Sequence, residues 1–217
     1  SVTWLYYSDR LAYFPLGVFG VALATVVLPH LSRQYAKASQ QEYVAALDWA
    51  IRVNLLIGIP AALMLWALSG PIITTLFNYG RFKLNDVMMT RQSVIAYTVG
   101  LSAFMLVKVL VTGFFARQDV KTPVKIGAVV ILINITLNAL FIIPFKHAGL
   151  ALATSLSAWF NVLILLMVLQ KRGIFHFMPG WLGFALRLGL SNAVMTGVLF
   201  WAKAPLHQWL AFAWPMR

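Results

Sequence analysis

Two adjacent charged residues, Asp9 and Arg10, interrupt a long apolar stretch near the start of the sequence. An arginine inside a membrane helix costs on the order of 3 kcal/mol, so it needs a partner or a hydrated cavity. Its planar guanidinium binds pyrophosphate and carboxylate groups well. Alternatively, Arg10 lies near the outer interface and extends its charge into water. Adjacent helical residues point in different directions, so the two charges need not pair with each other.

A helix bend is predicted directly after this charged pair. Pro15 removes the backbone hydrogen bond to Leu11, and Gly17 and Gly20 follow it. A bend at this position suits a moving gate, although kinks are also common in membrane helices that do not move.

A single lysine, Lys108, lies well inside the third apolar segment of the sequence. Its long stem allows the ammonium group to reach the cytoplasmic interface, which is the simpler interpretation. The alternative is that Lys108 lines a polar cavity within the membrane.

Polar side chains recur at helical spacing in the fourth and fifth apolar segments. Asn134 and Asn138 share one helix face, and Thr154, Ser157 and Asn161 share a face of the next segment. Amide and hydroxyl oxygens are hard ligands suited to Na⁺-like ions. Hydrogen bonding between helices, worth about 1 kcal/mol per bond, is the alternative explanation.

The sequence contains no pattern typical of an enzyme. It has no cysteine, so disulfides and thiolate metal sites are excluded, and its four histidines are scattered. It also lacks the glycine-rich loops that bind nucleotide phosphates. We therefore expect a protein that is not an enzyme.

The elements that carry these residues are predicted to be membrane helices. The chain is 61% hydrophobic and 10% charged, whereas a soluble domain carries roughly 25% charged residues. Apolar runs of about 20 residues match the thickness of a bilayer. The sequence thus predicts an all-α, polytopic membrane helix bundle. We expect six transmembrane helices, at about residues 2–31, 43–77, 86–115, 123–143, 148–169 and 180–201. They form one lobe over residues 1–202. A short tail at 203–217 follows and is expected to be truncated before a further helix.

The basic residues indicate how the helices are oriented. The formal charge is +12, but no basic cluster stands apart from the apolar segments, so we expect membrane lipid rather than nucleic acid as the partner. One set of loops holds more lysines and arginines than the other, which places it in the cytoplasm: Arg33, Lys37, Arg52, Arg117, Lys121, Lys125, Lys171, Arg172 and Arg187. This orientation puts Ser1 outside the cell, and we expect an N-terminal part beyond this chain.

Several strings in the sequence resemble the MurJ (MviN) family. They are Trp4-Leu-Tyr-Tyr-Ser-Asp9-Arg10-Leu, Phe14-Pro15-Leu-Gly17-Val-Phe-Gly20-Val-Ala-Leu-Ala-Thr25, Leu28-Pro29-His-Leu-Ser32, Phe115-Ala-Arg117-Gln118-Asp119-Val-Lys121-Thr122-Pro123-Val-Lys125 and Lys146-His147-Ala148-Gly149-Leu150. They occur in the same order as in the family, and the resemblance covers roughly residues 1 to 205.

The resemblance implies a transporter of the MOP superfamily. MurJ-like proteins are flippases of the bacterial inner membrane for lipid II, the undecaprenyl-pyrophosphate-linked precursor of peptidoglycan. Their two lobes surround a cationic cavity. This chain resembles about helices 8 to 13 of 14, so the missing N-terminal lobe would be its partner. The implied substrate-binding residues are Arg10, Asp9 and Lys108, with Arg10 on the pyrophosphate, and the implied gate is Pro15, Gly17 and Gly20.

The resemblance also implies where a coupling ion would bind. Some MurJ-like proteins hold Na⁺ at positions that fall on Asn134, Asn138, Thr154 and the backbone carbonyl of Leu150. Asn138 stands where the family pattern has a carboxylate, so the sequence predicts weakened cation binding. The membrane potential is then the alternative driving force.

Three other functions remain open from the sequence. One is a different MOP-type exporter, for a drug or a polyprenyl-linked oligosaccharide. Another is a membrane enzyme that acts on lipid-linked sugars, which predicts a cluster of acids or histidines in a loop. The third is an inert fragment without transport activity of its own.

Overall fold

The computed structural model describes residues 2–77 and 84–202, with side chains placed for residues 4–77 and 85–202. These ranges form helices joined by short connections. The helices are α1 (Val2–Pro15), a π-helical turn (Leu16–Gly20), α2 (Val21–Ala36), α3 (Gln40–Phe77), α4 (Leu84–Ala116), α5 (Lys121–Lys171) and α6 (Trp181–Ala202). The predicted tail at 203–217 lies outside the described residues.

The described helices have the length and the outer surface of membrane spans. Five continuous helical stretches within the described ranges are long and apolar enough to cross a bilayer. Large apolar side chains cover their outer surface, and Ile143, Leu182 and Trp201 are 82%, 78% and 88% exposed. Such exposure is costly in water but not in hydrocarbon. The prediction of an all-α membrane bundle is therefore confirmed.

The five stretches differ from the six predicted segments because α5 is a single helical run of 51 residues with a break inside it. Lys146 has φ 49° and ψ −125°, outside the helical region, two residues after Pro144. In a straight helix, Asn134 and Ser157 would lie about 35 Å apart, yet the Asn134 Nδ2 donates to Ser157 Oγ at 3.1 Å. The two halves of α5 therefore fold back against each other at the predicted turn.

Helix α4 forms the centre of the bundle, packed against α1, α2, α3 and α5. Its side chains Leu101, Met105, Leu110 and Phe114 have no exposed surface. Short side chains allow the closest approach, and a Cβ added at Gly100 would lie 2.6 Å from the Cα of Ser155 on α5. At this crossing the backbones are too close for any larger residue.

The close helix crossing at Gly100 indicates that adding one methyl group there will strongly lower the stability of the bundle. We expect Gly100→Ala to lower the free energy of unfolding by about 1–3 kcal/mol, because the Cβ overlaps backbone atoms that cannot move aside. Gly197→Ala on α6 is the control, since nothing lies within 4 Å of the added Cβ. Unfolding of both variants in mixed micelles measures the difference, and equal stabilities would show that the two helices separate without cost.

A buried carboxylate attaches α6 to the rest of the bundle. Asp48 on α3 is 3% exposed and accepts hydrogen bonds from Arg52 Nε and Trp181 Nε1, both at 2.7 Å. The backbone N–H of Met178 adds a third bond at 3.3 Å. The Arg52 guanidinium also stacks 5.0 Å from the centre of the Trp181 ring. These contacts fix the start of α6 to α3.

The connection between α4 and α5 is held by a more exposed carboxylate. Asp119 accepts hydrogen bonds from the backbone N–H and the hydroxyl of Thr122, at 3.0 and 2.7 Å, and from Arg172 at 2.7 Å. The bonds from Thr122, followed by Arg172, lower the pKa of Asp119 below its ordinary value of 3.8. The stabilisation is thus present at neutral pH and is lost only as the pH falls through the lowered pKa.

Neutralising Asp48 and neutralising Asp119 are predicted to lower the free energy of unfolding by different amounts. We expect Asp48→Asn to lower the free energy of unfolding by about 2–3 kcal/mol, because it leaves a largely buried guanidinium without its counter-charge. Asp119→Asn should cost about 1 kcal/mol or less, since its ion pair faces water. Thermal unfolding in detergent at pH 7 compares them, and a larger loss for Asp119→Asn would contradict the assignment of Asp48 as the attachment point.

Candidate functional site

Arg10 is the one predicted site residue whose charge reaches outward from the bundle. Its side chain is exposed, and its Nη2 donates a hydrogen bond to the hydroxyl of Tyr6 at 3.1 Å, one turn away on α1. The guanidinium also lies 5.1 Å from the centre of the Tyr6 ring. Among the described residues no carboxylate pairs with Arg10, because the ion pairs there are Asp48–Arg52 and Asp119–Arg172. Its remaining donors are available to an anion.

An apolar groove begins next to Arg10. It runs between α1 and α3 with a volume of about 570 Å³. Its walls are formed mainly by apolar side chains, including Phe14, Met64 and Leu68, and Arg10 contributes to its rim. A groove of this kind beside a single cation matches a ligand that carries an anionic group on a hydrocarbon chain.

Asp9 forms no ion pair with Arg10 among the described residues, although the two neighbouring charges interact electrostatically. The carboxylate lies on the side of α1 that faces α4, where it interacts electrostatically with Tyr97, while Arg10 turns to the groove between α1 and α3. This arrangement agrees with the expectation that neighbouring residues on a helix diverge. Asp9 thus belongs to the packing of α1 on α4, and the structure brings it to no contact with the groove.

The predicted bend appears as a π-helical turn. Pro15 ends the α-helical part of α1, and Leu16–Gly20 follow with π geometry. Pro15 cannot donate a backbone hydrogen bond, and the wider turn accommodates the lost bond. Gly20 is buried against Leu16 and against α4, whereas Gly17 has no neighbour within 4 Å of its missing side chain. The two glycines therefore have different surroundings, and only Gly20 lies at a helix contact.

A second, polar pocket brings together the polar residues from separate segments. Its volume is about 410 Å³, and it lies between α1, α4 and both halves of α5. Its polar lining residues are Tyr13, Lys108, Asn134, Thr154, Ser157 and Asn161. The sequence places these residues on different helices, so their meeting in one pocket follows only from the packing.

The predicted ion ligands are already connected by hydrogen bonds within the protein. Asn138 Nδ2 donates to Asn134 Oδ1 at 2.9 Å, and Asn134 Nδ2 donates to Ser157 Oγ at 3.1 Å. The Thr154 hydroxyl donates to the carbonyl of Leu150 at 2.9 Å. Thus the Asn134 oxygen and the Leu150 carbonyl both accept hydrogens from the protein, whereas the buried oxygen of Asn138 has no hydrogen-bond partner. Within the described ranges no group of three or more His, Asp or Glu residues could hold a metal ion.

Sequence reasoning missed the attachment of α6 through Asp48. The one signal available was the spacing of Asp48 and Arg52, four residues apart, which is typical of an ion pair within a helix. The additional bond from Trp181, 133 positions away, had no signal in the sequence. For Lys108 the sequence left two positions open, and the structure shows the side chain lining the polar pocket.

Comparison with known proteins identifies the family. The family model described as lipid II flippase MurJ matches residues 1–217. A probable lipid II flippase MurJ of Vibrio cholerae is 44% identical over all of this chain and 41% of its own length. A lipid II flippase MurJ of Burkholderia cenocepacia is 42% identical over 93% of this chain and 39% of its own length.

A solved structure agrees with these sequence matches. The structure described as lipid II flippase MurJ in an inward closed conformation superposes with a TM-score of 0.81 at 28% identity. The match covers 96% of this chain and 43% of that protein. The chain thus spans about two-fifths of the length of the relatives that it matches. It belongs to the lipid II flippase MurJ family and is a multi-pass membrane protein.

Proposed function

We propose that this chain is part of a flippase that moves lipid II across the bacterial inner membrane, and that Arg10 binds the pyrophosphate of that substrate. The observation that carries the proposal is an exposed guanidinium with no acidic partner among the described residues, at the rim of an apolar groove. A charge without a partner at this position in a membrane helix is costly, and a ligand that brings two phosphates offsets the cost.

The groove accounts for the lipid part of the proposed substrate. Lipid II joins a polar headgroup to a long polyprenyl chain through the pyrophosphate, so its anionic centre lies where polar and apolar regions meet. The Arg10 rim and the wall formed by Phe14 and Leu68 reproduce that order on the protein. The headgroup would move on the side of Arg10 that faces away from α4, while the prenyl chain stays in apolar surroundings.

The mobile element in this proposal is α1. It packs mainly against α4 and only slightly against α3, and the π-helical turn after Pro15 separates it from α2. Bending at Leu16–Gly20 would change the width of the groove and the position of Arg10, and it would also shift the contacts of this turn with α4. Alternating access by rocking of two lobes is the expected mode of transport.

Arg10→Ala is the variant that tests this function. In a bacterium depleted of its own lipid II flippase, we expect the full gene product to restore growth and the Arg10→Ala variant to fail. Losing a charged hydrogen-bond donor of about 1.5–3 kcal/mol weakens substrate binding roughly ten- to hundred-fold. Arg10→Lys should restore growth in part, because it keeps the charge but loses the two parallel bonds.

Arg187→Ala is the matched control, since Arg187 is equally exposed but lies on α6. It should support growth like the unmodified protein at equal membrane levels, which immunoblotting checks. Failure of the unmodified protein to restore growth would exclude the function. Normal growth with Arg10→Ala would exclude the role of Arg10.

A further inference from the structure

The polar pocket between α1, α4 and α5 contains a fixed positive charge. Lys108 is the only charged side chain among the described residues that line it. The stem of Lys108 passes over Gly20, where an added Cβ would lie 3.6 Å from the lysine Cδ. The side chain is half-buried, and it lines the same pocket as Asn134, Thr154 and Ser157. The pocket lining therefore combines one lysine side chain with the neutral polar groups of these three residues.

The hydroxyl groups of the pocket present acceptor oxygens to a positive charge. The hydroxyls of Thr154 and Ser157 donate their hydrogens to backbone carbonyls, at 2.9 and 2.7 Å. Ser157 Oγ also accepts from Asn134 Nδ2 at 3.1 Å, and the acceptor sites that remain on the two hydroxyls suit an ammonium group, which supplies three donors and no acceptor. Of the two asparagine oxygens, Asn134 Oδ1 already accepts from the Asn138 amide, whereas the buried Asn138 Oδ1 has no hydrogen-bond partner and Asn138 is not among the lining residues of the pocket.

Charge argues against a bound Na⁺ ion. A bound Na⁺ in a low-dielectric pocket requires a negative ligand, and the described lining residues include no carboxylate. A second positive charge beside Lys108 would be repelled across a pocket of about 410 Å³. The residues present therefore do not fit the Na⁺ site that the family resemblance implies.

We propose that the ammonium of Lys108 takes the place of a bound cation in this pocket, so that the protein neither binds nor requires Na⁺. Lys108 then supplies the positive charge of the pocket from the centre of α4, and its stem packs over Gly20 at the π-helical turn. The absence of Na⁺ binding is inferred independently of the proposed function. The role of the Lys108 charge in transport rests on that function.

The test compares Na⁺ binding in four forms of the purified full gene product: unmodified, Asn138→Asp, Lys108→Met, and the double variant. Thermal unfolding is measured in NaCl and in KCl at equal ionic strength, and binding of radioactive ²²Na⁺ is measured directly. The unmodified protein should show no difference between the salts. The double variant should gain Na⁺ binding and a Na⁺-specific rise of roughly 3 °C or more in Tm, because it has the carboxylate and lacks the competing ammonium.

The single variants separate the two contributions. Asn138→Asp changes one atom of a half-buried side chain and should fold normally, yet we expect it to bind no Na⁺, because the new negative charge only balances the positive charge of Lys108. Lys108→Met should bind none either, since it still lacks a carboxylate. Lys108→Gln combined with Asn138→Asp replaces the double variant if the methionine form does not fold.

Three results would overturn the inference. They are Na⁺ binding by the unmodified protein, Na⁺ binding by Asn138→Asp alone equal to that of the double variant, and no Na⁺ binding by a folded double variant. The last would show that the ammonium lies in water and not in the pocket. None of these measurements involves lipid II or Arg10, so a failure here is distinguishable from failure of the proposed function, which growth with Arg10→Ala decides.

Discussion

The bundle depends on one constraint, which is that buried polar groups in a membrane must find partners inside the protein. Interhelical hydrogen bonds meet it mainly on α4. Tyr43 donates to the carbonyl of Gly113 at 2.6 Å, Ser155 to that of Ala96 at 2.8 Å, and Trp159 to that of Val99 at 2.8 Å. Apolar packing alone gives no preference between neighbouring helices and lipid. These bonds therefore specify which helices lie against α4 and in which register.

The same constraint separates structural charges from functional ones. Arg52 is paired with Asp48 and stacked on Trp181, so its charge is satisfied by the fold. Arg10 has only a tyrosine hydroxyl and ring as partners among the described residues, and Lys108 faces a pocket of neutral oxygens. A protein that keeps such charges in its membrane region must use them, either on a ligand or within its own mechanism. Residues of α1 line both the groove next to Arg10 and the polar pocket that contains Lys108.

The sequence predicted the helices well because bilayer thickness and apolar composition leave little choice. Helix α3 begins three residues before its predicted start and ends at the predicted Phe77, and α4 extends its predicted range only slightly. The bend after Pro15 was also predictable, because the lost backbone bond is a local property. The turn near Pro144 was placed correctly, but its helical continuation was not, since only Lys146 leaves helical geometry.

Contacts between helices could not be predicted from the sequence, and the reason is physical. Residues on different helices meet according to helix rotation and crossing angle, and neither can be read from apolar periodicity when every face is apolar. Lys108 illustrates this, because its stem reaches either the interface or the polar pocket depending on how α4 is rotated. The packing of Gly100 against Ser155 and of Gly20 near Met105 sets that rotation. Two glycines at close helix contacts thus decide that the Lys108 side chain lines the polar pocket, and the charge of the pocket follows from the close approach of the backbones.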